Sequence, residues 1–174
     1  MGLAAKSRLC GRHGRFYTSP VIKGRPPRLE RIFQSYDPPI FFVTFCTLHR
    51  VKIGRLEVAH EAFTKYALRA RDEFNVALAR YVIMPDHVHL FVQGDPNFQL
   101  ESWVGGLKRA VSVSLGPSSF RPLWQPGFFD HLLRSDESYA GKWEYVRQNP
   151  VRHGLVSRGE EWPYQGEIVL IDRV

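Results

Sequence analysis

Residues 39–48, Pro-Ile-Phe-Phe-Val-Thr-Phe-Cys-Thr-Leu, are rich in β-branched and aromatic side chains and predict a central β-strand. From 58 to 74 the apolar side chains recur at Ala59, Ala62, Phe63, Tyr66, Ala67, Ala70 and Phe74. That is the spacing of one helix face, with His60, Glu61, Lys65, Arg69 and Arg71 off it. Residues 78–84 read as a second strand. Pro85-Asp86 turns it into a third, 87–93, which ends at Gly94-Asp95-Pro96-Asn97. A second amphipathic helix, about 100–115, buries Leu100, Trp103, Val104, Leu107, Ala110 and Val111. Gly105-Gly106 weakens that helix unless a backbone or ligand must come close there. Residues 128–134 predict a fourth strand. Ser135 is suited to N-cap a third helix, with Asp136 and Glu137 in its first turn. Pro150 disfavours a helical Asn149, so this helix is expected to stop there, ahead of an irregular tail. The order is βαββαβ followed by an extra helix, which is an α+β, ferredoxin-like pattern. Two helices would cover one face of an antiparallel sheet. The other face is left for a ligand, a partner or the added helix.

The 174 residues suit one domain with a real core, and 44% hydrophobic with 13% aromatic residues excludes a disordered chain. No apolar run approaches a membrane span, and the N-terminus has no signal-peptide core. Cys10 and Cys46, the only cysteines, make neither a disulfide framework nor a thiolate zinc site, so a reducing cytoplasm is expected. The net charge of +7 points to a polyanionic partner. Residues 1–31 hold eight Lys and Arg, Arg25 and Arg28 among them, against Glu30 alone, an excess equal to that of the whole chain. We therefore read 1–36 as a basic extension able to track a nucleic-acid backbone, 37–157 as the folded domain and 158–174 as a tail. A solubilising tail would carry the same charge.

Chemistry enters at Met84-Pro-Asp-His-Val-His-Leu-Phe-Val92. His87 and His89 alternate with Val88, so a strand puts both imidazoles on one face, where they can hold one divalent ion. A solvated strand face is the plain alternative for so short a motif. The terminal helix supplies the second half. Tyr139, Trp143, Val146 and Pro150 lie four, three and four apart and form its packing stripe. Tyr145 and Asn149 are four apart and share another face. An amide oxygen from Asn149 would complete a donor set of two imidazoles and one neutral oxygen, suited to Mg²⁺ or Mn²⁺. Tyr145 could then attack phosphorus, its phenol (ordinary pKa ~10) activated by the nearby cation. Tyr139 is the rival nucleophile, but it belongs to the packing stripe and lacks the amide one turn on. A half-buried packing role for Tyr145 and a helix-stop role for Asn149 are the plain alternatives.

His87-Val88-His89 resembles the His-hydrophobic-His motif of the HUH single-strand endonucleases. Pro85-Asp86-His87-Val88-His89, together with Trp124-Gln125-Pro126, Asp130-His131 and Tyr145-Val-Arg-Gln-Asn149-Pro150-Val151-Arg152-His153-Gly154, is similar to the REP-associated tyrosine transposases. The likeness runs from about residue 28 to 156. It implies a ferredoxin-like core, Tyr145 as nucleophile, His87, His89 and Asn149 as metal ligands, and cleavage and rejoining of single-stranded DNA beside palindromic hairpins through a 5′-phosphotyrosine. It also admits a homodimer. Lys108, Arg109 and Arg134 are candidate phosphate contacts, as are Arg25 and Arg28 in the extension. Trp124, Phe128 and Phe129 are candidate base-stacking side chains, with core packing the expectation for the Phe pair. The competing reading is a non-catalytic nucleic-acid-binding module on the same open sheet. A hydrolase of a small phosphate would leave the basic extension without a role.

Overall fold

The computed structural model describes residues 38–117, 122–133 and 139–171. The basic extension with Arg25 and Arg28, the cation Arg134 and the expected cap Ser135 lie outside the described residues. The first six elements follow the expected order: β1 (Ile40–Cys46), α1 (Leu56–Phe74), β2 (Ala77–Ile83), β3 (His87–Gln93), α2 (Leu100–Ser114) and β4 (Phe129–Leu133). The sheet is antiparallel in the order β4-β1-β3-β2, which places β3 and β1 at its centre.

The two helices cover one face. Phe63, Ala67 and Ala70 of α1 and Trp103, Val104, Leu107 and Val111 of α2 pack on Val43, Phe45, Val88, Leu90 and Val92. Close helix approach explains one of the paired glycines. A Cβ on Gly106 would collide with the Tyr66 hydroxyl, which donates to the Trp103 carbonyl at 3.2 Å, whereas a Cβ on Gly105 would meet nothing within 4 Å. Phe74 departs from the expected stripe: it is 59% exposed at the helix end.

The C-terminal region differs most from expectation. The terminal helix is broken, not continuous. α3 (Tyr139–Arg147) ends before Gln148, and a short α4 (Asn149–Arg152) restarts with Pro150 in its first turn, where proline's missing N–H is harmless. The tail is ordered as well. β5 (Gln165–Glu167) pairs antiparallel with β2, making a five-stranded sheet. Trp162 donates its indole N–H to the Ile83 carbonyl at 2.9 Å. The second sheet face is therefore partly closed by Val146, Trp162, Tyr139 and Trp143 over Ile40, Phe42, Val82 and Phe91. Among the described residues no helix is long and apolar enough to cross a membrane.

Candidate metal and nucleophile site

Strand alternation puts Val88, Leu90 and Val92 into the helix-side core, so His87 and His89 share the opposite face with Phe91. The two rings stand edge to face with centroids 4.8 Å apart. The turn that starts the strand is anchored. Met84 N–H donates to the His87 carbonyl at 2.7 Å. Thr47 gives both its N–H (2.8 Å) and its hydroxyl (3.1 Å) to the Asp86 carbonyl.

Each imidazole is held through Nδ1. His87 Nδ1–H donates to Asp86 Oδ1 at 2.6 Å, and His89 Nδ1 is hydrogen bonded to Thr44 Oγ1 at 2.7 Å. Thr44 lies opposite His89 in the β1–β3 register, and Phe42 stacks on the same ring at 5.6 Å. With Nδ1 engaged, Nε2 is the nitrogen left to coordinate an ion, the usual arrangement at metal-binding histidines. Burial lowers the His87 pKa against an upward pull from Asp86. Burial, then His87, Arg152 and Arg50, push His89 down to about 3. Both rings are thus kept in the neutral, ligating form. Burial also works against ionisation of Asp86, but the His87 hydrogen bond and the charge of Arg50 outweigh it and hold the carboxyl below its usual range.

α4 meets this pair. Asn149 is buried at 7%, and His153, one turn on, packs beside His87 with centroids 5.9 Å apart. His153 Nδ1–H donates to the Asn149 carbonyl at 2.9 Å. Among the described residues no group of three His, Cys, Asp or Glu side chains is arranged to hold a metal ion. Asn149 is the buried polar side chain of α4, and its amide oxygen accepts from the Arg152 guanidinium at 3.5 Å.

Tyr145 is 63% exposed on α3. Its ring carries the Arg152 guanidinium, 3.9 Å from the centroid. Tyr139 packs edge-on against Phe91 at 4.9 Å, and burial raises its hydroxyl to about 12, which disfavours it as a nucleophile.

The other candidates separate clearly. Arg109 is exposed and lines a groove of about 1150 Å³ between α2 and the loops after β1 and before β4. His87 and His89 do not line that groove. Lys108 points into its wall and donates to the carbonyls of Gln125 (3.0 Å) and Gly127, so it holds a loop in place. Trp124 is 7% exposed, edge-on to Phe45, and donates its indole N–H to the Lys108 carbonyl. Its ring is core instead of a stacking surface. Phe128 packs partly buried, while Phe129 is 54% exposed. Asp86, Arg50, Thr44 and His153 were not assigned from sequence. Asp86 and His153 stood in the motifs that carry the resemblance, without a role of their own.

The family profile "Transposase IS200 like" matches residues 40–148. A Haemophilus influenzae protein assigned to the REP-associated tyrosine transposases is 27% identical over 140 residues, covering 72% of this chain and 77% of its own. A REP-associated tyrosine transposase of Escherichia coli K12 is 30% identical over 87 residues, 48% of this chain and 50% of that one. The solved structure of a REP-associated tyrosine transposase bound to a REP hairpin shares the fold, with a TM-score of 0.61, 18% identity, and coverage of 83% of this chain and 99% of that one. The chain belongs to the IS200-like transposase family, enzymes of the tyrosine class, and its relatives are REP-associated tyrosine transposases.

Proposed function

We propose that the protein nicks and rejoins single-stranded DNA next to a hairpin. The phenolic oxygen of Tyr145 attacks a phosphodiester. An O–P bond to the tyrosine forms, the bond to the 3′ oxygen breaks, and the phenolic proton is lost as the 3′-hydroxyl is made. The 5′-phosphotyrosine left behind is reopened by an incoming 3′-hydroxyl, which restores the DNA. His87 and His89, through Nε2, and Asn149, through its amide oxygen, are the residues that would hold Mg²⁺ or Mn²⁺. Such an ion supplies charge neutralisation on the phosphate oxygens. Asp86 and Thr44 keep the two rings oriented and in the required tautomer.

The observation that carries this reading is the paired, neutral, Nδ1-tethered imidazoles beside His153, which follows α4 and donates to the Asn149 carbonyl. The solved relative bound to a REP hairpin supports DNA as the partner. Tyr145 is exposed on α3, so its phenol is open to the DNA strand, and the break at Gln148 would let α3 adjust to bring it over the phosphate, in the same chain or a second copy. The test is a labelled hairpin oligonucleotide with Mg²⁺ or Mn²⁺. A denaturation-resistant protein–DNA adduct is expected. Tight binding with no adduct under either metal would leave only a binding module.

A further inference from the structure

After β1 the chain makes a short turn in which His49 and Arg50 both adopt positive φ, 54° and 57°. Neither is glycine, so two adjacent side chains occupy a backbone region that disfavours them. The turn is held by Leu48 N–H to the Leu123 carbonyl at 2.8 Å and Arg50 N–H to the Thr47 carbonyl at 3.2 Å. What the strained backbone delivers is the Arg50 guanidinium, placed against Asp86 Oδ2 at 3.3 Å. The other oxygen of the same carboxylate accepts from His87 Nδ1. One carboxylate therefore bridges an imidazole of the candidate site and an arginine whose side chain is 55% exposed.

Stability does not account for this arrangement, since exposed ion pairs contribute little. Strained backbone tends instead to mark residues that act on a ligand. The contact with Asp86 engages one guanidinium nitrogen, and the half-exposed remainder keeps the planar fork that matches two phosphate oxygens. The ligand class follows from the position of Arg50, which the Asp86 carboxylate ties to His87 of the imidazole pair proposed to act on DNA phosphate.

We infer that Arg50 grips a phosphate flanking the scissile one on the DNA strand, with Asp86 keeping the guanidinium in step with His87. This rests on the proposed reading of the imidazole pair as a DNA-phosphate site. Arg50 is a substrate-binding residue here, and Asp86 is its positioning partner.

The test uses the full chain and a fluorescein-labelled DNA hairpin with a single-stranded 5′ tail, titrated at several salt concentrations. Arg50→Ala is expected to weaken binding about 10- to 100-fold and to flatten the log–log salt slope by about 0.7, one single-strand phosphate contact. Arg50→Lys, which keeps the charge and loses the fork, is expected to recover only part of the affinity. Mn²⁺ affinity, read by calorimetry without DNA, is expected to stay within about threefold of wild type, since the His87–Asp86 bond survives. Neutral methylphosphonates placed one at a time along the tail should then reveal one flanking position that weakens wild type and has no further effect on Arg50→Ala. Unchanged affinity and salt slope in Arg50→Ala, beside a wild type that binds and forms adduct, overturn the inference alone. A wild type that neither binds nor nicks overturns the parent reading and this one together. Loss of Mn²⁺ binding in Arg50→Lys would reassign Arg50 to holding His87.

Discussion

The Arg152 guanidinium lies over the Tyr145 ring, 3.9 Å from its centroid, and donates to the Tyr145 backbone carbonyl. An exposed phenyl ring with a cation on its face keeps that contact when the hydroxyl is removed. Tyr145→Phe is thus expected to unfold within about 0.5 kcal/mol of wild type and to bind hairpin DNA normally, yet form no covalent adduct. Adduct that persists, as seen on a denaturing gel, would move the nucleophile elsewhere, and Tyr139→Phe would then be examined.

The exposure of Tyr145 and the break at Gln148 between it and Asn149 lead to a second expectation. Mixing His87→Ala with Tyr145→Phe should restore adduct formation to roughly a quarter of the wild-type yield. That outcome requires the phenol of one copy to serve the histidines of another, as in shared-site oligomers. No restoration in equimolar mixtures would assign both groups to one chain.

Acid should destabilise the metal-free protein through the same histidines. His87 and His89 are held below the ordinary imidazole pKa in the fold. In the unfolded chain they return to about 6.5, so there they bind the extra protons. The stability they contribute is complete above about pH 6.5 and is lost as pH falls from there toward the folded value, about 3 for His89. The slope approaches about 1.4 kcal/mol per pH unit for His89, with His87 adding in the same direction. Urea unfolding between pH 7.5 and 4.5 measures it, and His89→Gln should remove about one ring's share. An equal slope in that variant would show that His89 is not the group responsible.

The two adjacent glycines of α2 should respond in opposite directions. Gly106→Ala drives a methyl into the Tyr66 hydroxyl and should lose about 1–3 kcal/mol. Gly105→Ala meets open space within the helix and should gain about 0.5–1 kcal/mol. Thermal unfolding of the two variants decides it. Equal shifts would mean that helix propensity alone governs this stretch.

The sequence by itself determined the periodic parts of this protein. Alternation is a local property of a strand, so His87 and His89 had to share a face, and the apolar stripes of α1 and α2 had to find a sheet. The order of elements then admitted a ferredoxin-like sheet, and the Tyr145–Asn149 spacing was visible on one helix face, although Gln148 interrupts that helix. What the tertiary structure decided is everything carried by contacts distant in sequence. Thr44 became the partner of His89 only through the β1–β3 register, and Arg50 met Asp86 only because the turn after β1 packs on the β2–β3 turn. Lys108 and Trp124, polar or amphipathic and therefore plausible at a DNA surface, were committed to a loop and to the core by neighbours 16 to 19 residues away. The tail 158–174 lacked any long β-prone run, yet β5 forms there because the edge of β2 offers backbone partners that a local pattern cannot register.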